Sequence, residues 1–157
     1  MKMTIASIAL AISAVSFAGA QTLTVDHLTQ SQLIEKAQEL NAKAQNPEGA
    51  ASSKLNEYPN SLTMIALRRK NGGAEIHENY ADFFFVVQGS AKLLTGGTVP
   101  DGKSVSLGEI RGKSVVNGVE TTLNQGDIVH IPAAVPHQFL LPEGGTFLYF
   151  VIKVKEK

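Results

Sequence analysis

Two short stretches hold the residues with the most chemical potential. The first, Ala74-Glu75-Ile76-His77-Glu78-Asn79-Tyr80-Ala81-Asp82, carries one histidine and three carboxylates. The second runs from Gly126 to His137 (GDIVHIPAAVPH) and carries two histidines around a Pro-Ala-Ala-Val-Pro turn. Residues two apart on a strand project from the same face, so Glu75 and His77 can both point inward. His77 and His137 come from distant parts of the chain. Their convergence with Glu75 and Asp82 would bring two imidazoles to one or two carboxylates. Such a donor set suits Fe(II), Mn(II) or Zn(II) and leaves positions open for water or substrate. A second carboxylate hardens the site and favours Mn(II) or Fe(II). The chain has no cysteine, so a thiolate metal centre is excluded.

The second stretch resembles a motif of the cupin superfamily: Gly, five residues, Pro-x-Gly, two residues, His. Gly126, Pro132 and His137 match at those spacings, and Ala134 replaces the inner glycine. The position four residues beyond the histidine, sometimes asparagine in the family, is Leu141. The family's other motif runs His-x-His, three or four residues, Glu, six residues, Gly. Counting back from Gly89 sets Asp82 in the glutamate position and His77 in that of the second histidine. Glu75 then occupies the first histidine position. A competing register pairs His77 with Asn79 but leaves too few residues before Asp82. The resemblance therefore implies a metal site of His77, Asp82, His137 and Glu75, with Glu75 either a ligand or a general base. It implies an all-β fold, a double-stranded β-helix or jelly-roll barrel, preceded here by a helix.

Other polar residues have plainer readings. Glu78 alternates with His77 and should face solvent. His130 lies between Val129 and Ile131 and reads as a packed or rim residue, and His27 reads as a surface residue. Arg68 and Arg69 could reach a substrate carboxylate, but a solvated strand end is the preferred reading. Phe83, Phe84, Phe85, Phe139, Tyr149 and Phe150 form core or pocket wall.

The elements that must position these residues follow from periodicity and turn signals. Residues 29–45 read as a helix, with Thr29 and Gln32 at capping-box spacing and Leu33, Ala37, Leu40 and Ala44 on one face. Residues 46–61 are rich in turn formers and read as a connector. Beyond them, runs such as SLTMIALRR, DFFFVVQ, SAKLLT and TFLYFVIKV are strands separated by Gly, Pro, Asn and Asp. Asp101-Gly102 and Asn117-Gly118 are hairpin dipeptides. The expected organisation is a signal peptide at 1–20, a helix and connector at 21–60, and the strand-rich domain at 61–157.

The N-terminus carries Lys2, an apolar run over residues 4–18, and Ala18-Gly19-Ala20 as a cleavage pattern. That is a secretory signal, with export to a bacterial periplasm or beyond. No cysteine follows the cut, which excludes a lipoprotein anchor, and no membrane attachment is expected after cleavage. Lys and Arg balance Asp and Glu at 14 each, with no basic run, so nucleic acid is not an expected partner. A small-molecule ligand or substrate and a homodimer are the expected partners. The function classes are a divalent-metal enzyme of isomerase, lyase, decarboxylase or dioxygenase type, a non-catalytic metal or ligand carrier, and a metal-free structural domain.

Overall fold

The computed structural model describes residues 25–156; the signal peptide expected at 1–20 lies outside them. One helix, α1 (Gln30–Lys43), is followed by strands over the rest of this span. The Thr29 hydroxyl accepts from the Gln32 N–H at 3.2 Å, and the Gln32 side chain accepts from the Thr29 N–H at 2.8 Å. This reciprocal cap starts the helix where the Thr-x-x-Gln spacing predicts.

The strands are β1 (Ala50–Tyr58), β2 (Ser61–Arg68), β3 (Ala74–His77), β4 (Tyr80–Gln88), β5 (Ala91–Thr95) and β6 (Lys103–Ser106). They continue with β7 (Glu109–Gly112), β8 (Val119–Leu123), β9 (Ile128–Ile131), β10 (His137–Leu140) and β11 (Phe147–Lys155). Two antiparallel sheets result, ordered β1-β2-β11-β4-β9 and β6-β7-β3-β10-β5-β8. From β3 to β5, and again from β8 to β11, each strand crosses to the other sheet at the turn.

The alternation within β2, β4 and β11 explains the layering. Ala66, Phe84, Val86, Tyr149 and Val151 face the second sheet and pack with Leu93, Leu123 and Phe139. Ile65, Leu67, Val87 and Leu148 face the other way and pack against Leu33, Leu40 and Ala44 of α1 or its end. The five-stranded sheet is therefore buried on both faces over much of its area. Each fully buried Leu or Ile contributes about 1.5–3 kcal/mol.

Three expectations need correction. The closed jelly-roll barrel is not formed: the ladders end at β1 and β9 in one sheet and at β6 and β8 in the other, and no ladder joins these edges among the described residues. The strands cross between sheets through turns, and the bonds at those corners, such as Ala134 N–H to His77 O at 2.8 Å, are isolated. The fold is two facing antiparallel sheets with an N-terminal helix. Residues 50–58, expected as connector, form the edge strand β1, which pairs with β2 across a turn at Pro59-Asn60. An edge strand half in water keeps Ser, Lys, Asn and Glu and so gives little alternation to read. Finally, Asp101-Gly102 and Asn117-Gly118 do not join paired strands; the β6–β7 hairpin turns at Leu107-Gly108.

Candidate metal centre

The site begins with register. His137 opens β10 and stands directly opposite Glu75 on β3, and His77 is two residues further along β3 on the same face. One ligand atom each from Glu75, His77 and His137 lies within 4.8 Å of the others. The two imidazole rings are 5.2 Å apart between centroids. The turn that delivers His137 holds Ala134 at φ 66°, so the residue in the family's glycine position keeps a left-handed backbone without being glycine. The β8–β9 turn is closed by Asp127, whose carboxylate accepts from the Asn124 N–H at 2.7 Å.

Hydrogen bonds orient both histidines. His77 Nδ1 donates to Glu109 Oε2 at 2.7 Å, because the carboxylate can only accept. His137 Nδ1 donates to the Val135 carbonyl at 3.1 Å. Each ring therefore turns Nε2 toward the cluster, the arrangement in which an outer partner fixes a ligating imidazole. His137 Nε2 is buried and has no hydrogen-bond partner among the described residues. His77 Nε2 sits 3.5 Å from Glu75 Oε2 and 3.3 Å from Asp82 Oδ2. A nitrogen lone pair facing two carboxylate oxygens is repulsive unless a proton or a cation lies between them. The orphaned nitrogen and this convergence of acceptors fit a divalent cation.

Charge around the donors is balanced by a ring of cations. Arg68 Nη2 donates to Glu75 Oε1 at 2.9 Å, and Arg68 Nε donates to the Tyr149 hydroxyl at 3.2 Å. Arg111 Nη2 lies 2.9 Å from Glu109 Oε2 and 3.8 Å from Glu75 Oε2. Lys153 Nζ donates to Asp82 Oδ1 at 2.6 Å. Burial raises the Glu75 carboxyl, but a hydrogen bond from His77, which in the metal-free site needs a proton on Nε2, and the guanidiniums of Arg111 and Arg68 outweigh it, leaving the group at about 2. Burial pushes the His137 imidazole below its usual range, which keeps it neutral and able to ligate. Burial likewise pushes the Tyr149 hydroxyl up and keeps its proton on.

These groups line a cavity of about 340 Å³ between the sheets, reaching from Ala50–Ser52 on β1 to Arg111 on β7. Met64, Phe84, Phe139 and Val151 form its apolar wall.

All four residues read from the sequence as metal ligands meet here. Glu75, His77 and His137 form the tight group, while Asp82 leans on Lys153 with Oδ2 3.9 Å from His137 Nε2. Glu78 and His27 are exposed as expected; His130, read as a packed or rim residue, is exposed on the outer face, where it stacks on Phe83 at 4.3 Å. Arg68 overturns the solvated-strand-end reading: its side chain is 15% exposed and bonded to Glu75. Alternation could have found it, since Arg68 continues the inward face of Met64 and Ala66. The same argument places Lys153 after Tyr149 and Val151. Glu109 and Arg111 gave no signal, being part of a short strand in the stretch between the two motifs.

No family model matches the chain, and no curated protein matches it in sequence. Solved structures do. A Klebsiella pneumoniae protein with a double-stranded β-helix domain superposes with a TM-score of 0.52 at 18% identity, over 70% of this chain and 79% of that one. A recombinant oxalate oxidase in complex with glycolate gives 0.52 at 15%, over 73% of this chain and 55% of that one. The DMSP lyase DddQ from Ruegeria pomeroyi gives 0.50 at 16%, over 68% and 47%. The fold is cupin-like. The chain spans about half the length of the two enzymes.

Proposed function

We propose that this protein binds a divalent metal through Glu75, His77 and His137 and acts at that site on a small polar organic molecule. The buried, partnerless Nε2 of His137, directed at the other two donors, is the observation that carries this reading. Two imidazoles and a carboxylate suit Mn(II), Fe(II) or Zn(II). Asp82 keeps Oδ1 on Lys153 and turns Oδ2 toward both histidines, beside this set. A bound ion there supplies Lewis-acid polarisation of a substrate oxygen.

The chain's own groups divide the remaining work. Glu75, held at about 2, is too weak a base for efficient proton abstraction at neutral pH and is assigned as a ligand. Tyr149, which keeps its proton, is a hydrogen-bond donor on the cavity wall. Arg68 fixes the Glu75 carboxylate in place. The same low basicity of Glu75 favours a second reading, a protein that holds a metal or small ligand without turnover. The oxidase and the lyase of similar fold support enzymatic chemistry without choosing a reaction. Export through the signal at 1–20 and dimerisation through the sheet edges left unpaired among the described residues belong to the same proposal.

Metal analysis of the purified chain tests it, with His77→Ala and His137→Ala as controls. Near-stoichiometric metal that disappears in both variants is expected. A metal-free wild type whose stability does not respond to added Mn(II), Fe(II) or Zn(II) would sink both readings.

A further inference from the structure

Resting on the metal reading above, we infer that the ligand of this cavity is a small organic carboxylate, anchored by Arg111 and Lys153 from opposite sheets. Charge counting carries the argument. Around the donor group, three carboxylates (Glu75, Asp82, Glu109) are matched by three cations (Arg68, Arg111, Lys153). With neutral histidines this set sums to zero, so a divalent ion leaves the cavity doubly positive. Excess charge between two packed sheets is costly unless an opposite charge sits beside it. An anion is therefore the complementary ligand, and a neutral sugar or amide is not.

Spare donors indicate which residues meet it. A lysine ammonium has three N–H donors, and Lys153 spends one on Asp82. Arg111 has five, of which Nη2 meets Glu109 and Nη1 meets the Ile110 carbonyl. Arg68, by contrast, is divided between Glu75 and Tyr149, with Nη1 facing Gly72. Arg111 and Lys153 both line the cavity, from β7 in one sheet and β11 in the other. The volume of about 340 Å³ lies at the small end for organic ligands, which limits the carboxylate to a short chain.

Isothermal titration calorimetry of the Mn(II)-loaded protein tests this, with metal content measured separately in each sample. The probes are acetate, glycolate, malonate and succinate, each against its neutral amide. At least one acid should bind tenfold or more tightly than its amide, and its affinity should fall at least tenfold in Arg111→Gln or in Lys153→Met at unchanged metal content. If no acid outbinds its amide, or if both variants bind like wild type, the assignment is overturned while the metal reading survives. A protein that loads no metal fails at the earlier step, which the metal measurement reports on its own. Arg111→Lys, which keeps charge and loses the planar fork, should retain part of the affinity and guards against misfolding of the glutamine variant.

Discussion

Strands β2, β4 and β11 present two faces that differ by one residue of offset and by everything in chemistry. Outward, Ile65, Leu67, Val87 and Leu148 meet the helix in a purely apolar layer. Inward, the same strands carry Arg68, Asp82, Tyr149 and Lys153 among Ala66, Phe84, Val86 and Val151. Both faces are removed from water, so the inward charges incur a desolvation cost that the outward residues avoid. That cost is offset pair by pair, Arg68 with Glu75 and Lys153 with Asp82. Packing alone would place apolar residues at these positions, as the outer face does. The difference between the faces is thus a map of where ion pairs replace apolar packing.

Substitutions can break this contrast, beginning with the largest. Leu148→Ala on the outer face opens a cavity under α1 and should cost about 2–5 kcal/mol by urea denaturation, with metal content unchanged. A parallel loss of metal would show that the two faces are not independent. On the inner face the effect depends on pH. The Glu75 carboxyl lies below its ordinary 4.5 in the folded protein, so its contacts contribute stability that is present above pH 4.5 and lost as pH falls toward 2. In metal-free protein that contribution is at most about 3 kcal/mol, and it should be absent from the pH profile of Glu75→Gln. Identical profiles for the two proteins would refute it. The smallest effect is expected in the turn that feeds the inner face. Ala134→Gly relieves a left-handed alanine and should stabilise by about 1 kcal/mol or less, read as a small rise in Tm.

Much of this was legible in the sequence, for identifiable reasons. The helix was legible because a capping box and a helical apolar stripe are local signals. Period two puts Glu75 and His77 on one face, whereas Asp82 and His137 were pointed to by motif spacings that resemble those of the cupins. The rest depends on partners far along the chain. Glu109 and Arg111 matter only because β7 pairs with β3, and nothing within Glu-Ile-Arg-Gly announces that pairing. The Lys153 partner of Asp82 Oδ1 also arrives from a strand 71 residues away. Whether a sheet closes is likewise decided by edges that never meet, here β1, β9, β6 and β8.

Glu75, His77 and His137 all belong to the six-stranded sheet, on adjoining strands of a single ladder. Their spacing is therefore set by backbone hydrogen bonds within one layer and not by how closely the two layers approach. A breathing motion that parts the sheets would stretch the Arg68–Glu75 and Lys153–Asp82 contacts differently. The first spans the gap, and the second lies wholly within the five-stranded sheet. Such a motion would widen the cavity while the three donors stay in formation, with Arg68–Glu75 as its latch. The three donors are thus held by one sheet, and Arg68–Glu75 is a contact that ties that sheet to the other.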